Sequence, residues 1–416
     1  MDYIDCTIQG AHPGLPAGWR STRQMTQPTD YQIELQRIDR ALTEHQKFAV
    51  VAQADNHHLA LYAYYLYQRA ALTGSLDELE AAESAIDGAI RATHWPGDLY
   101  LLKANLAFKL HRLADVHLNL EAVPSVLEST KGKVLRADLA FQEGRYAEAE
   151  GGYRDVIREE RTWDSLARLA YLEAKIGKVT RAEQRFVEAQ EELTAKEMRS
   201  YAWLELQRGV LDLARGRFEE AGTHYQRAGQ AYSGYWLVDE HVAELLAAQG
   251  KFREAIARYE DVVGRAPKPE LQQALGEIYL LMGDPDRARA WNEKALTAYL
   301  ESARRGGVHY YHHLADFYSD ADPDGAQAVK WAQKDFEVRQ NFSTQAALAW
   351  ALHRHGRLPE AADMSEKATS SGVKDAHVFS QAAAIHLAAG QTDVANQYAT
   401  MAAQLNPRHH TFHVHR

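Results

Sequence analysis

Glycine recurs along this chain at intervals of roughly 34 residues, a period typical of a repeat architecture in which each repeat is one supersecondary unit. Each of these glycines separates two stretches rich in helix-favouring residues. The interval from Gly177 to Gly216 is slightly longer than most. The interval from Gly283 to Gly356 is about twice as long and holds one further unit, which turns near Asp322 without a glycine. The glycines are Gly144, Gly177, Gly216, Gly250, Gly283, Gly356 and Gly390.

Alanine keeps step with these glycines, five residues after each of them, and a second small apolar residue stands twelve residues after. Glycine adopts the positive φ that ends one helix and turns the chain toward the next. Two small residues seven positions apart lie on one face of the second helix and allow it to approach the first closely. The first set is Ala149, Ala182, Ala221, Ala255, Ala288, Ala361 and Ala395, and the second is Ala189, Ala228, Ala295, Ala368 and Ala402 with Val156 and Val262.

The segment LQQALGEIYLLMGDPDRARAWNEKAL carries the pattern most clearly, and it resembles the tetratricopeptide repeat, a helix–turn–helix unit. The resemblance covers roughly residues 98 to 407 and implies an all-α solenoid, a right-handed superhelix of about eight or more helix pairs. Members of this family are binding scaffolds, so the resemblance also implies a protein or peptide partner held in the concave groove. The residues that carry it are Leu275, Gly276, Tyr279, Gly283, Ala288 and Ala295, with Pro267 and Pro407 at the position of the family's closing proline.

The same register divides the chain into four segments. Residues 1–25 are predicted to be irregular, and 26–97 to form an N-terminal helical cap or degenerate repeats. Residues 98–407 form the repeat array, whose first unit turns near His111, and 408–416 form a histidine-rich tail. Two intervals are longer than the basic period, namely Gly177 to Gly216 and Gly283 to the turn near Asp322. They predict lengthened helices or loops near residues 190–200 and 298–308.

Composition narrows the partner and the compartment. The net charge of −10 argues against a nucleic-acid partner, because such binding is driven by clustered basic side chains. No run of about 18 apolar residues is present, so we expect no membrane span. The N-terminal MDYIDCTIQG lacks the basic start and apolar run of a secretory signal, and Cys6 is the single cysteine. These features predict a cytoplasmic protein of undetermined oligomeric state.

In the family that the chain resembles, the first helix of each unit lines the groove, so groove residues follow from the register. The groove is expected to be acidic, with histidines and aromatic rings beside the acids. Its expected ligand is a basic or neutral segment with an apolar anchor. The candidate partner-binding residues are Trp203, Trp236, Glu240, Glu244, Glu270, Gln273, Glu277, Trp350, His353, Arg354 and His377.

Histidine is unusually frequent, with 20 in the chain and eleven after residue 300. His309, His312, His313 and Asp316 share one helical face, a geometry in which two imidazoles and a carboxylate can bind a divalent metal of the zinc or iron group. Two alternatives remain open at this point: packed or solvated histidines, and histidines that contact a bound partner. No cofactor is established by the sequence.

Motifs for catalysis are missing from the sequence. It contains no GxxxxGK[ST], GxSxG, HExxH or CxxC pattern. A triad assembled in space from distant Ser, His and Asp residues stays open. The sequence therefore favours a non-enzymatic scaffold, with a metal-binding protein or metalloenzyme that uses the same groove as the alternative.

Overall fold

The computed structural model describes residues 27–49, 56–93 and 97–412. Within these ranges the chain forms 22 α-helices and one π-helical segment, and no β-strand. This agrees with a sequence dominated by Ala, Leu, Glu, Gln and Arg, which lose little free energy on entering a helix. The predicted irregular segment 1–25 and the last four residues of the tail lie outside the described residues.

In chain order the helices are α1 Asp30–Ala49, α2 Asn56–Thr73, α3 Leu76–Ala92, α4 Gly97–Lys109, α5 Leu113–Glu121, α6 Pro124–Leu127, α7 Thr130–Gln142, α8 Tyr146–Glu159, α9 Trp163–Lys175, α10 Val179–Glu191, α11 Met198–Leu213, α12 Phe218–Ala231, α13 Trp236–Ala248, α14 Phe252–Arg265, α15 Pro269–Leu281, α16 Pro285–Arg304, α17 Tyr311–Asp316, α18 Gly325–Val338, α19 Phe342–Arg354, α20 Leu358–Ser370, α21 Ala376–Ala388 and α22 Thr392–Leu405. The π-helical segment Phe317–Ala321 continues α17.

Consecutive helices pack as hairpins, each with a helix A followed by a helix B. Among the described residues the hairpins are α2–α3, α4–α5, α7–α8, α9–α10, α11–α12, α13–α14, α15–α16, α17–α18, α19–α20 and α21–α22. Except in α17–α18, a residue between the two helices has positive φ, for example 78° at Gly144 and 75° at Gly250. His111 takes this role with φ 60°, which confirms the unit predicted to turn there. The repeat solenoid expected from the sequence is thus confirmed.

The alanine register describes the interface between the helices of a hairpin. The alanines five residues after the glycines are all 4% exposed or less, and most are fully buried. Only a small side chain leaves room for two helix backbones to approach this closely. Both longer units also match the prediction, because α16 has 20 residues and α11 has 16, preceded by a loop at 192–197.

Hairpins that are six units apart touch, so the superhelix stacks on itself. The contacts join the A-to-B turns of the N-terminal half (α1–α12) to the loops that precede the A helices of the C-terminal half (α13–α22). Partners are separated by between 192 and 203 residues in several of these contacts. We call this line of contacts the seam. Its N-terminal side consists of residues 72–74, 109–111, 142–144, 175–177 and 216. In the same order, these contact residues 236 and 268, residue 309, residues 340–341, residues 374–375 and residues 406–408.

Hydrogen bonds in the seam satisfy the carbonyl groups at the ends of the A helices. The last carbonyls of an α-helix have no partner within the helix and must be satisfied by other groups. Here the indole of Trp236 donates to the Leu72 carbonyl at 3.1 Å. The backbone N–H of Lys374 donates to the Lys175 carbonyl at 2.8 Å. Donors in the C-terminal half therefore satisfy the helix ends of the N-terminal half.

Helix α1 joins the halves at the start of the array. The Ser233 hydroxyl, in the loop before α13, donates to the Asp30 carboxylate at 2.6 Å. The Tyr232 hydroxyl donates to the Glu34 carboxylate at 2.5 Å. The predicted N-terminal cap thus bridges 203 residues of sequence rather than closing one end alone.

Candidate functional site

A cavity of about 110 Å³ lies inside the superhelix beside the seam. Helices of both halves line it, including α2, α3, α9, α11 and α13. Three tryptophans contribute to the lining, namely Trp163, Trp203 and Trp236. We call this space the tryptophan cavity.

Local structure places two of these rings. Trp163 is the first residue of α9, and the capping box between Thr162 and Ser165 fixes where that helix begins. Trp203 lies in α11, and its ring centroid is 6.4 Å from that of Trp163. Both rings are half-buried, so they pair with each other while part of each stays accessible. Rings held in this way provide rigid apolar contact area for a ligand.

Basic side chains line the same cavity. Lys109, Arg199 and Lys268 all contribute to the lining. Arg199 forms an ion pair with Glu34 at 3.2 Å, and Lys268 pairs with Glu270 at 3.0 Å. The Lys268 ammonium also lies 5.0 Å from the centroid of the Trp236 ring, a cation–π contact. The lining thus combines aromatic surface with positive charge.

Electrostatics around Glu270 favour its charged form. Burial raises the pKa of this carboxyl, but the Lys268 ammonium and nearby His313 and His309 outweigh that effect and hold the pKa at about 2. Burial lowers the pKa of His309 to about 4 and that of His313 to about 3, although Glu270 opposes the change in both. At neutral pH this region therefore contains a carboxylate and two uncharged imidazoles.

Only part of the predicted groove coincides with the cavity. Trp203 lines it with a half-buried ring. Glu270 lies next to the lining, because it forms an ion pair with the lining residue Lys268. Trp236 also lines it, but this residue is 5% exposed and its indole N–H donates within the seam. Trp236 therefore stays a predicted partner-binding residue that lines the cavity, and its indole N–H joins the two halves at the Leu72 carbonyl.

Glu240 and Glu244 depart from the prediction of an acidic open groove. They are 1% and 0% exposed. Both carboxylates raise the pKa values of Tyr225 on α12 and Tyr259 on α14, after the larger effect of burial. The two glutamates thus lie within the packing of consecutive hairpins, where a ligand in solution does not reach them.

The other predicted groove residues form local pairs away from the cavity. The Gln273 amide donates to Glu277 at 3.0 Å, and the Trp350 indole donates to Asp320 at 3.0 Å. Trp350 also stacks on His353 with ring centroids 4.9 Å apart. The remaining two are Arg354, whose guanidinium donates to the Ser319 carbonyl at 2.6 Å, and His377, whose backbone N–H donates to Asp375 at 2.9 Å.

The histidines predicted to bind metal have three different environments. His309 lies in the seam, with Nδ1 3.2 Å from the Lys109 carbonyl and its ring stacked on His111 at 4.6 Å. His313 stacks on Tyr299 at 5.5 Å. His312 approaches Asp335 at 3.0 Å and Asp316 at 3.4 Å. No group of three or more His, Cys, Asp or Glu within 27–49, 56–93 and 97–412 is placed to hold a metal ion. The metal site stays a prediction that these contacts do not support.

Asp335 anchors a buried network that sequence reasoning missed. Its carboxylate accepts from the Arg339 guanidinium at 2.7 and 3.0 Å, and both side chains are buried. Burial raises the pKa of Asp335, but Arg339 and His312 outweigh it and hold the pKa at about 2. The spacing of Asp335 and Arg339, four residues apart on α18, is a signal for an ion pair that could have been found.

Comparison with known proteins supports the repeat assignment. The family model described as tetratricopeptide repeat matches residues 271–293 and 343–367. A search of curated proteins gives no significant match. No helix in the described part of the chain is long and apolar enough to cross a membrane.

Two solved structures match the chain at low sequence identity. The crystal structure of the APC/C hetero-tetramer Cut9-Hcn1 has a TM-score of 0.42 at 14% identity, covering 91% of this chain and 80% of that one. The human IFIT1 dimer with PPP-AAAA has a TM-score of 0.34 at 14% identity, covering 89% of this chain and 94% of that one.

The matched stretches coincide with helix hairpins of the array. Residues 271–293 span α15, its turn at Gly283 and the start of α16, and residues 343–367 span α19, the turn at Gly356 and most of α20. The same glycine turn and buried alanine recur in hairpins that the family model does not match, such as α7–α8 with Gly144 and Ala149. The family model thus identifies tetratricopeptide repeats in two hairpins of the array, whose turn and alanine register the other hairpins share.

Proposed function

We propose that this protein is an interaction scaffold that binds an extended segment of a partner protein inside the superhelix, with an apolar anchor residue of the segment in the tryptophan cavity. The tetratricopeptide fold supports a protein-interaction role in general. The observation that supports this particular site is the cavity of about 110 Å³ beside the half-buried rings of Trp163 and Trp203. Interface energy concentrates where such rings form a pocket for one anchor side chain.

Charge in the lining indicates what should flank the anchor. Lys109, Arg199 and Lys268 place three cationic groups around the aromatic surface. A carboxylate of the bound segment would interact favourably with these groups, even though Arg199 and Lys268 already have acidic partners. The proposed ligand is therefore an apolar or aromatic residue with Asp or Glu nearby. This differs from the basic or neutral segment expected from the sequence, because Glu240 and Glu244 are buried, whereas the apolar anchor is the same in both.

A metal-dependent role is not proposed as a second function. It depends on the spacing of His309, His312, His313 and Asp316, and no group of three or more His, Cys, Asp or Glu among the described residues is placed to hold a metal ion.

The test is selection of peptides from a random display library on the purified full-length chain. We expect the enriched peptides to share an apolar residue flanked by Asp or Glu. Trp203→Ala should weaken their binding at least about tenfold, which corresponds to the loss of about 1.4 kcal/mol. Arg199→Gln should weaken binding less, and the loss should shrink at high salt.

Matched controls separate the cavity from the rest of the surface. Trp291→Ala removes a part-buried tryptophan that packs on the core outside the cavity lining, and Arg158→Gln removes a charge whose side chain is 76% exposed. Both controls should bind the peptides like wild type. Equal binding by Trp203→Ala and Trp291→Ala, with unchanged melting temperatures, would remove the cavity from the proposal.

A further inference from the structure

Most A-to-B turns of the C-terminal half have no covering layer among the described residues. A Cβ added at Gly144 or Gly216 in the N-terminal half would lie 2.6 Å from the Gln340 carbonyl oxygen or 2.5 Å from Asn406 Oδ1. A Cβ added at Gly250, Gly283, Gly356 or Gly390 would have no heavy atom of the described residues within 4 Å. We call this row of C-terminal turns the open edge. It is the surface on which a further layer of hairpins would lie.

Apolar residues stand on the open edge at positions that the seam buries elsewhere. In the N-terminal half, Phe141 and Gln142 precede their turn glycine by three and two residues and are 7% and 3% exposed. The equivalent residues before Gly283 are Leu280 and Leu281, which are 44% and 57% exposed. Leu387 stands three residues before Gly390 and is 59% exposed. The repeat thus presents apolar surface where its other half has a covering layer.

The opposite edge of the superhelix, which we call the loop edge, carries loops of the kind that build the seam. In the seam, the loops before α15, α17, α19 and α21 cover the turns of the N-terminal half. The corresponding loops of the N-terminal half adjoin Glu160, just before α9, and Glu191, at the end of α10, and both side chains are exposed. On the open edge, Lys251, Arg253 and Arg357 are also exposed and stand just after turn glycines. At these positions the open edge is basic and the opposite edge is acidic, although Arg161 also lies in the loop before α9 and Asp284 follows Gly283 on the open edge.

We infer that a second copy of this chain stacks head-to-tail on the open edge, so that the loops before α9 and α11 of one copy cover the turns of the other. The contact would repeat between chains the layer that the seam forms within one chain. Leu280 and Leu281 would be buried, and Glu160 and Glu191 would face the basic turns. Such an interface is heterologous, so each copy keeps one free edge and further copies can add. This interface is independent of the proposed peptide site.

The test measures the mass distribution of the full-length protein by sedimentation velocity over a range of concentrations. Wild type should form dimers and longer species as the concentration rises. Leu281→Asp should weaken association at least about tenfold, because it places a charge in the contact. Leu118→Asp is the matched control, since Leu118 is 66% exposed on α5 and outside both edges. It should associate like wild type.

Mixing variants tests the direction of stacking. Leu281→Asp disables the open edge, and the double variant Glu160→Lys and Glu191→Lys disables the loop edge. Each alone should stay mainly monomeric, while an equal mixture should form dimers and nothing longer, because each variant keeps one working edge. Wild type that is monomeric at all concentrations would overturn the inference. So would self-association of the double variant, which indicates a symmetric contact, or equal effects of Leu281→Asp and Leu118→Asp.

Discussion

The two halves of the array use the same turn in different surroundings. Gly144 and Gly250 have φ values of 78° and 75°, so both meet the same backbone requirement. At Gly144 the turn also packs against the backbone of Gln340, whereas at Gly250 no heavy atom of the described residues lies within 4 Å of an added Cβ. A glycine in the C-terminal half is needed for its backbone conformation, and one in the N-terminal half also for the space it leaves.

The halves also differ in what holds a buried carboxylate. Asp138, in the N-terminal half, accepts from the Tyr153 hydroxyl at 2.6 Å and from Arg168 at 2.9 Å, and burial raises its pKa. Asp335 has Arg339 and His312 as partners and a pKa of about 2. Burial thus outweighs the charged and hydrogen-bonding partners of Asp138, whereas the charged partners of Asp335 together outweigh burial. Variants at these positions and at the turns can break or sharpen the comparison.

The largest expected effect is at Asp335. Asp335→Ala should reduce the free energy of unfolding by about 3–5 kcal/mol, because it leaves the buried Arg339 guanidinium without its carboxylate. Urea unfolding followed by circular dichroism measures the loss. If the seam couples the halves, N-terminal tryptophans such as Trp163 should report unfolding at the same urea concentration as the whole chain. A loss below about 1 kcal/mol, the range of an exposed ion pair, would show that the network does not stabilise this half.

Alanine at the turn glycines should separate the two roles of the turn. Gly250→Ala should cost roughly 1–2 kcal/mol, the penalty for a side chain in the left-handed region. Gly144→Ala should cost about 1–3 kcal/mol more, because its Cβ must displace the Gln340 backbone. Thermal unfolding gives both values, and amide exchange at residues 340–342 should increase in Gly144→Ala alone. Equal costs would mean that the seam does not form in solution.

A second pair of variants tests what the halves share. Ala149 and Ala288 occupy equivalent positions and are 0% and 1% exposed. Leucine at either position should overpack the hairpin and cost roughly 1–3 kcal/mol. Denaturation midpoints measure both losses, which should be similar because the contact lies within a hairpin and not in the seam. An unchanged midpoint for Ala288→Leu would show that the repeat register is misplaced.

The last comparison is the response of the seam to acid. Burial holds the pKa of His309 at about 4, below its ordinary 6.5, so the unfolded chain binds the proton more readily. The stability from neutral His309 is therefore present above pH 6.5 and is lost as the pH falls from 6.5 toward about 4. The difference between 6.5 and about 4 corresponds to a loss of at most about 3 kcal/mol.

His309→Gln should reduce the dependence of the free energy of unfolding on pH between 6.5 and about 4. His355→Gln, at an exposed position, is the control and should leave it unchanged. His312 contributes in the opposite sense. Its pKa is raised because Asp316 and Asp335 outweigh burial, so its stabilisation is full below pH 6.5 and is lost as the pH rises through the folded pKa. Amide exchange at residues 109–111 between pH 4 and pH 7 measures the seam directly. Identical pH dependence of stability for His309→Gln and wild type would contradict the assignment of the acid response to His309.

Much of the fold could be predicted because it depends on local rules. A glycine for positive φ and an alanine for close helix contact act within a single hairpin, so they can be recognised one repeat at a time. Even a unit without a turn glycine followed from the register, since His111 stands where the next turn is due. The candidate site was predicted less well. Trp203 lines the cavity, but Glu240 and Glu244 are buried between hairpins.

The sequence by itself determined the helices, their pairing and the buried alanine faces, because each of these depends on residues within about one repeat of each other. Only the tertiary structure decided how tightly the superhelix winds. Small rotations between neighbouring hairpins add up over six units, and their sum brings His309 to Lys109 and Lys374 to Lys175. No pattern that recurs once in each repeat encodes that sum. The closure of the seam, and with it the lining of the tryptophan cavity, therefore appears only when the whole array is folded.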